Sequence, residues 1–124
     1  MKTIIITGGG GGIGKSCAEA FLDAGWRVGL VGRKPDPLNA LAEAHDAALA
    51  LPCDVTDEGQ VDAAFDKALG AWGRIDAVFN NAGVSVMGAT IDEVSVEDFR
   101  RCIEINLVGS FIVARAAFAR MKAQ

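Results

Sequence analysis

The sequence predicts an α/β domain, a doubly wound parallel sheet with helices on both faces. Three observations predict it. Short apolar runs alternate with segments whose apolar residues recur at three- and four-residue steps, the turns between them are short, and the glycines Gly8 to Gly12 stand where the first run gives way to the first helical segment. Repeated strand, helix, strand units require right-handed crossovers, which lay the strands parallel and send helices to both faces.

Each element has its own signal. Lys2 to Thr7, with Ile4, Ile5 and Ile6, is a β-branched strand, and Ile13 to Ala24 is a helix ended by Gly25. Arg27 to Gly32 (Val28, Leu30, Val31) is the second strand. Asp36 before Pro37 reads as an N-cap and first-turn signal for a short helix through about Ala44. Ala47 to Cys53 is the third strand. Thr56-Asp57-Glu58 opens the next helix, whose Val61, Ala64, Phe65, Ala68, Leu69 and Trp72 form one face. Ile75 to Phe79 is the fourth strand, followed by a loop rich in Gly, Ser and Thr. Ser95 then caps a long helix from about Val96 to Met121, with Phe99, Ile103, Leu107, Phe111 and Phe118 as its apolar positions.

Composition bounds the function. At 124 residues the chain makes one domain, residues 1 to 124, and 51% hydrophobic residues give it a substantial core. A net charge of −4 with scattered Lys and Arg argues against a nucleic-acid or membrane surface. No uninterrupted apolar stretch is long enough to span a bilayer, and residues 1 to 7 read as a strand rather than a signal peptide, so a cytoplasmic location is expected. Cys17, Cys53 and Cys102 are odd in number and far apart, which argues against a disulfide framework or zinc site; they are expected to be reduced and mostly buried. His45, the single histidine, is expected at the surface, which excludes a histidine-dependent metal site or triad.

The glycine run binds phosphate on any reading, because it joins a strand to a helix and so presents backbone N–H groups at the positive end of a helix dipole. It fits three fingerprints. Gly9 through Gly14-Lys15-Ser16 is a literal P-loop, which would make an NTPase. Gly8, Gly11 and Gly14 give the spacing of extended or sensor-type dinucleotide proteins, and Thr7-Gly8 with Gly12 and Gly14 that of ordinary short-chain dehydrogenases. A dinucleotide site reads the adenosine ribose at the end of the second strand, about twenty positions past the glycines. That place holds Gly32-Arg33-Lys34 instead of an acid. A guanidinium fork matches phosphate oxygens, so the expected cofactor is NADP, with NAD as the alternative.

Further motifs make the whole chain resemble the short-chain dehydrogenase/reductase family, of the ordinary type. These are Asp54-Val55 after the third strand, Asn80-Asn81-Ala82-Gly83 after the fourth, and Glu104-Ile105-Asn106 inside the long helix. The resemblance implies a Rossmann-type sheet of order 3-2-1-4, an adenine contact at Asp54, a sheet-fixing turn with Asn81 nearest the cofactor, and a catalytic asparagine at Asn106. The cofactor-binding residues expected are Gly8, Gly10, Gly11, Gly12, Ile13, Gly14, Arg33, Asp54, Val55, Asn81, Ala82 and Gly83. The asparagines also carry a physical signal: after a buried strand, Asn80 and Asn81 need hydrogen-bond partners, and Asn106 in a helix interior suggests a kink or water site.

The resemblance implies hydride transfer between a nicotinamide and a small-molecule carbonyl or secondary alcohol. The family's proton donor is a Tyr in Tyr-x-x-x-Lys, helped by a Ser on a fifth strand, and these 124 residues contain no tyrosine. The chain is therefore expected to be the cofactor half, truncated after the helix that follows the fourth strand and inactive alone. The catalytic half is expected in the same or an associated chain. Its fourth strand would be an open edge and its long helix would expose apolar residues, including Phe111, Ile112 and Phe118, which the family places at a homo-oligomer interface. The other reading is a non-catalytic dinucleotide-binding module, and only Ser85 to Gly88 stand where substrate would come.

Overall fold

The computed structural model describes residues 1–86 and 90–124. In order, the elements are β1 (Thr3–Thr7), α1 (Gly12–Asp23), β2 (Arg27–Gly32), α2 (Pro35–Ala44), β3 (Ala48–Pro52), α3 (Glu58–Trp72) and β4 (Ala77–Phe79). A continuous helix, Val96–Met121, follows. It consists of α4 (Val96–Ile103), a π-helical segment (Glu104–Gly109) and α5 (Ser110–Met121). The four strands form one parallel sheet in the order β3-β2-β1-β4, as expected.

Alternation along the strands divides the core in two. Ile4 and Ile6 of β1, with Val28 and Leu30 of β2, pack under α1 and α2 against Ala18, Leu38 and Leu41. Ile5, Val31 and Leu51 point to the other face, where α3 brings Val61, Phe65 and Ala68 and α5 brings Val113, Ala116 and Ala117. Both faces of β1 are covered, which is why its sequence is continuously apolar rather than alternating.

The helix ends are fixed by local chemistry. Trp26 N–H donates to the Phe21 carbonyl at 2.9 Å and Gly25 N–H to that of Leu22 at 3.0 Å, a Schellman end for α1. Asp57 accepts from Gln60 N–H at 3.0 Å to cap α3, and Ser95 accepts from Asp98 N–H at 3.0 Å to cap α4. The expected cap at Asp36 is corrected. Lys34 is the N-cap of α2, Pro35 occupies its first turn with φ already set for a helix, and Asp36 lies inside that turn without a capping bond. His45, expected at the surface, is half-buried, while Cys53 is buried and Cys17 and Cys102 half-buried, all three as free thiols.

The long helix docks on the sheet through small residues, and its bulky stripe points away. Phe111 and Phe118 are 64% and 68% exposed, and Phe99 and Leu107 are exposed with them. Ile112 differs from its expected place: it packs against the core beneath α5. The helix is 26 residues long and its most apolar window has a mean hydropathy of 1.6, enough by length and composition to cross a membrane. The residue reading found no such stretch because Glu104 and Arg115 interrupt it. Arg120 fastens α5 to α3, donating to Asp66 at 2.8 Å and to Asp62 at 3.2 Å. Gln124 closes the end: its amide accepts from Ile75 N–H and donates to the Ile75 carbonyl, each at 2.8 Å.

Among the described residues β4 pairs only with β1, leaving a parallel edge open beside the exposed stripe. The 124-residue chain on its own is therefore expected to aggregate or to unfold below about 50 °C, read by light scattering during thermal denaturation. A cooperative melt of monomeric 12.9 kDa protein above that temperature would contradict this.

Candidate functional site

At the carboxyl end of β1 the buried hydroxyl of Thr7 accepts two backbone N–H groups, from Asn81 and Ala82, each at 2.9 Å. This draws the Asn80-Asn81-Ala82-Gly83 turn over the start of the glycine loop. Gly8 takes a left-handed conformation (φ 69°), and a Cβ there would stand 2.8 Å from Asn81 Nδ2. Gly14, in the first turn of α1, lies so close that a Cβ would fall on the Gly8 carbonyl. Glycine is required at both positions by contact with the same turn.

The rest of the loop opens an anion cradle. Gly9 N–H anchors it to the Val31 carbonyl at 3.1 Å, and Gly10 rests on Pro37 and Leu38. Gly11 is the N-cap of α1, with open space at its Cα and no side chain to cap the helix. The first helical bond runs from Lys15 N–H to the Gly11 carbonyl, so the N–H groups of Gly12, Ile13 and Gly14 stand free at the positive helix end.

A cleft of about 160 Å³, lined by Gly8 of the glycine loop, lies across the carboxyl ends of the strands. It gathers six of the expected residues: Gly8, Arg33, Asp54, Val55, Ala82 and Gly83. Arg33 is exposed at the end of β2. Asp54 Oδ1 accepts from Thr56 N–H at 2.9 Å and Thr56 Oγ1 at 2.8 Å, and no described residue bonds its Oδ2. The Thr56 hydrogen bonds, aided by the Arg33 charge, hold the Asp54 carboxyl below its usual range, so it is an ionised acceptor with one free oxygen at neutral pH.

Asn81 and Asn106 stand behind the cleft wall. Asn106 Oδ1 accepts from Val84 N–H at 2.7 Å and Asn106 Nδ2 donates to the Val84 carbonyl at 2.6 Å. Asn80 Nδ2 donates to the Ser110 carbonyl at 2.8 Å, and Ser110 Oγ donates to the Asn106 carbonyl at 2.7 Å. The irregularity that Asn106 suggested is the π-helical segment around it. Each end of the Asn106 amide is bonded to Val84, and each keeps one further hydrogen-bonding position.

The cofactor-binding residues expected from the sequence omit Cys53, Val84 and Ile105, which also line the cleft. Ile105 stands within the Glu104-Ile105-Asn106 motif and Val84 adjoins Gly83, and those places are the signal that could have found them. Cys53 gave none. Burial, then the charges of Asp54 and Asp57, push its thiol up to about 11, so it stays protonated and unreactive. Of the residues expected nearest substrate, Ser85 is described, while Met87 and Gly88 lie outside the described residues.

A P-loop reading needs an acid on a strand for magnesium, with Asp54 and Asp76 as its candidates, and Asp76 is placed away from the glycine loop. Asp76 precedes β4 at the amino end of the sheet, where it accepts from Thr3 N–H at 2.8 Å and pairs with Arg74, opposite the glycine loop. Lys15 faces the groove between α1 and α2 beside Pro37 and Leu41. A second concavity, about 170 Å³, lies between α3 and α5, but its charges are already paired as Arg115 with Glu58 and Arg120 with Asp62.

A family model described as short chain dehydrogenase matches residues 2–124. The chain belongs to the short-chain dehydrogenase/reductase family. It is 43% identical over 120 residues to momilactone A synthase of Oryza sativa subsp. japonica, covering 94% of this chain and 43% of that protein. It is 32% identical to L-fucose dehydrogenase of Oryctolagus cuniculus, covering 98% of this chain and 43% of that protein. The crystal structure of 3-ketoacyl-(acyl-carrier-protein) reductase from Brucella melitensis complexed with NADH superposes with a TM-score of 0.94 at 33% identity, over 98% of this chain and 50% of that one. The chain thus spans about half the length of the relatives it matches.

Two outcomes follow for this short-chain dehydrogenase chain. Gly14→Ala drives a methyl onto the Gly8 carbonyl and is expected to cost about 1–3 kcal/mol in urea denaturation. Because the folded Asp54 value is depressed, its carboxylate contributes stability above the ordinary value of 3.8, and the contribution is lost as pH falls through the lower folded value. Thr56→Val removes the hydroxyl bond and keeps the backbone one, so it should raise the Asp54 value part of the way toward 3.8 in an NMR titration; an unmoved value would contradict the hydroxyl's share.

Proposed function

We propose that the chain is the dinucleotide-binding part of an oxidoreductase that prefers NADP to NAD and acts on a small-molecule carbonyl or secondary alcohol. The observation that carries this reading is the cleft at the carboxyl ends of the strands, which brings Gly8 of the glycine loop together with Arg33 and Asp54. The pyrophosphate fits the helix end, where no side chain competes for the donors. Asp54 Oδ2 offers an acceptor for the adenine amino group, and Arg33 offers a cation to a 2′-phosphate. When bound, the nicotinamide would supply or accept the hydride.

Asn106 serves the reaction by fixing Val84 and the turn, which forms the wall nearest the substrate side. Its main-chain carbonyl, which already accepts from Ser110 Oγ, keeps a second lone pair for a relay water. No tyrosine exists in these residues, so the group that protonates the substrate oxygen is expected in the portion by which the relatives are longer. The exposed Phe111 and Phe118 support a homo-oligomer contact through the long helix.

Titration with NADPH and NADH, followed by cofactor fluorescence, tests the cofactor reading. NADPH is expected to bind more tightly, and Arg33→Asp to weaken it by about tenfold, or about 1.4 kcal/mol, with little change for NADH. Tighter NADH binding by the unaltered protein would overturn the preference. Asn106→Ala is expected to lower turnover more than cofactor affinity; unchanged turnover would reject its role. The intact mass of the polypeptide decides between enzyme and binding module. A longer chain carrying Tyr-x-x-x-Lys supports turnover, and a lone 12.9 kDa species supports the module.

A further inference from the structure

We infer that Gly109 is a positioning residue for the cleft: its lack of a side chain lets the π-helical turn lie against Val55 and so sets how far Val55 stands into the space a dinucleotide would fill. The inference rests on the reading of that cleft as the dinucleotide site.

Gly109 ends the π-helical segment inside a continuous helix, where glycine is a poor helix former, and it is buried. A Cβ there would stand 2.8 Å from Val55 Cγ2 and 3.5 Å from both Val55 Cβ and the Glu104 carbonyl. Val55 is itself buried and lines the cleft on its other side. A methyl at 109 leaves two responses, retreat of the helix or advance of Val55.

The helix is held on both sides of the contact. Asn106 is bonded twice to Val84, Ser110 takes the Asn80 amide at its carbonyl, and Arg120 is paired to α3. A retreat at 109 would strain or break several of these bonds at once. Val55 is β-branched, so its Cγ2 leaves the contact only by a change of χ1 rotamer or by displacement of the whole side chain, and either alters the methyl groups it presents to the cleft. It follows Asp54, whose carboxylate is fixed by Thr56, and moves toward the open cleft. Gly109 thereby acts on cofactor affinity through Val55, without touching the cofactor.

The test is a double-mutant cycle in the protein carrying these residues, with Gly109→Ala, Val55→Ala and the pair. NADPH affinity is read by cofactor fluorescence, and the Val55 methyl signals of the ligand-free protein by NMR. Gly109→Ala is expected to weaken NADPH binding by about fivefold or more, while the pair, which removes the colliding methyl, returns to within about twofold of Val55→Ala. Unchanged affinity in Gly109→Ala, or a pair as weak as the product of the two single effects, would overturn the inference. If Gly109→Ala fails to fold, a folded pair that binds like Val55→Ala supports it. Failure of both to fold overturns it, since Gly109 would then serve helix packing alone. Binding of neither NADPH nor NADH by the unaltered protein would be a failure of the dinucleotide reading instead. In that case displaced Val55 methyl signals in Gly109→Ala still support the contact, and unmoved signals reject it.

Discussion

The hydroxyl of Thr7 is the constraint on which the site depends. Its oxygen, wholly buried at the end of the central strand, accepts the N–H groups of Asn81 and Ala82, and so joins the end of β1 to the turn after β4. A valine would fill the same volume, leave the Ala82 N–H without a partner and leave the Asn81 N–H only its 3.1 Å bond to the Phe79 carbonyl, at about 1–3 kcal/mol for a buried group left unpaired. Once the turn is seated, the Asn81 amide occupies the space beside Gly8 and Gly14, and neither can carry a Cβ. Gly8 and Gly14 are therefore fitted to a polar turn distant in sequence and, at Gly14, to the Gly8 carbonyl as well, and the phosphate cradle takes its shape from that fit.

The turn is held from its far side by the long helix. Asn80 reaches Ser110, and Asn106 reaches Val84, so two side-chain amides span the gap between the sheet end and the π-helical turn. Asn106 uses both its donor and its acceptor on a single residue's backbone, much as a neighbouring strand would. A regular helix keeps side chains close to its own turns, and the wider π geometry around Asn106 accompanies this outward reach.

Much of this was legible in the sequence, where local chemistry decides the outcome. β1 follows a β-branched run and the other strands short apolar ones, and Asp57 and Ser95 cap the helices they precede. What escaped was set by distant partners or by competing local signals. Pro35 and Pro37 both stand near the start of α2, and either fits a first turn; the chain begins the helix at the earlier one, which makes Asp36 an interior residue. The π-helical segment has no composition of its own, and Asn106 marked only that the helix was irregular there. The contact of Gly109 with Val55 joins residues far apart in sequence, and periodicity carries no trace of it. The spacing of Phe99, Ile103, Leu107, Phe111 and Phe118 identified an apolar face, and Phe111 and Phe118 are exposed as expected, whereas Ile112 turns to the core.

That choice of face is decided by polar anchors and by size. Val113, Ala116 and Ala117 let α5 approach the sheet and α3 closely, whereas a phenylalanine at those places would hold the helix away. By hydrophobic transfer alone, rotating the helix to bury Phe111 and Phe118 would be favoured, since each carries more apolar area than the residues now inside. Such a rotation would separate Asn106 from Val84 and Arg120 from Asp62 and Asp66, and it would leave the Asn80 amide without its carbonyl. The anchors lie along more than three turns of one face, so they fix its rotation even though each exposed bond is worth little alone. The bulky stripe stays outward because the opposite face is committed to holding the turn in place.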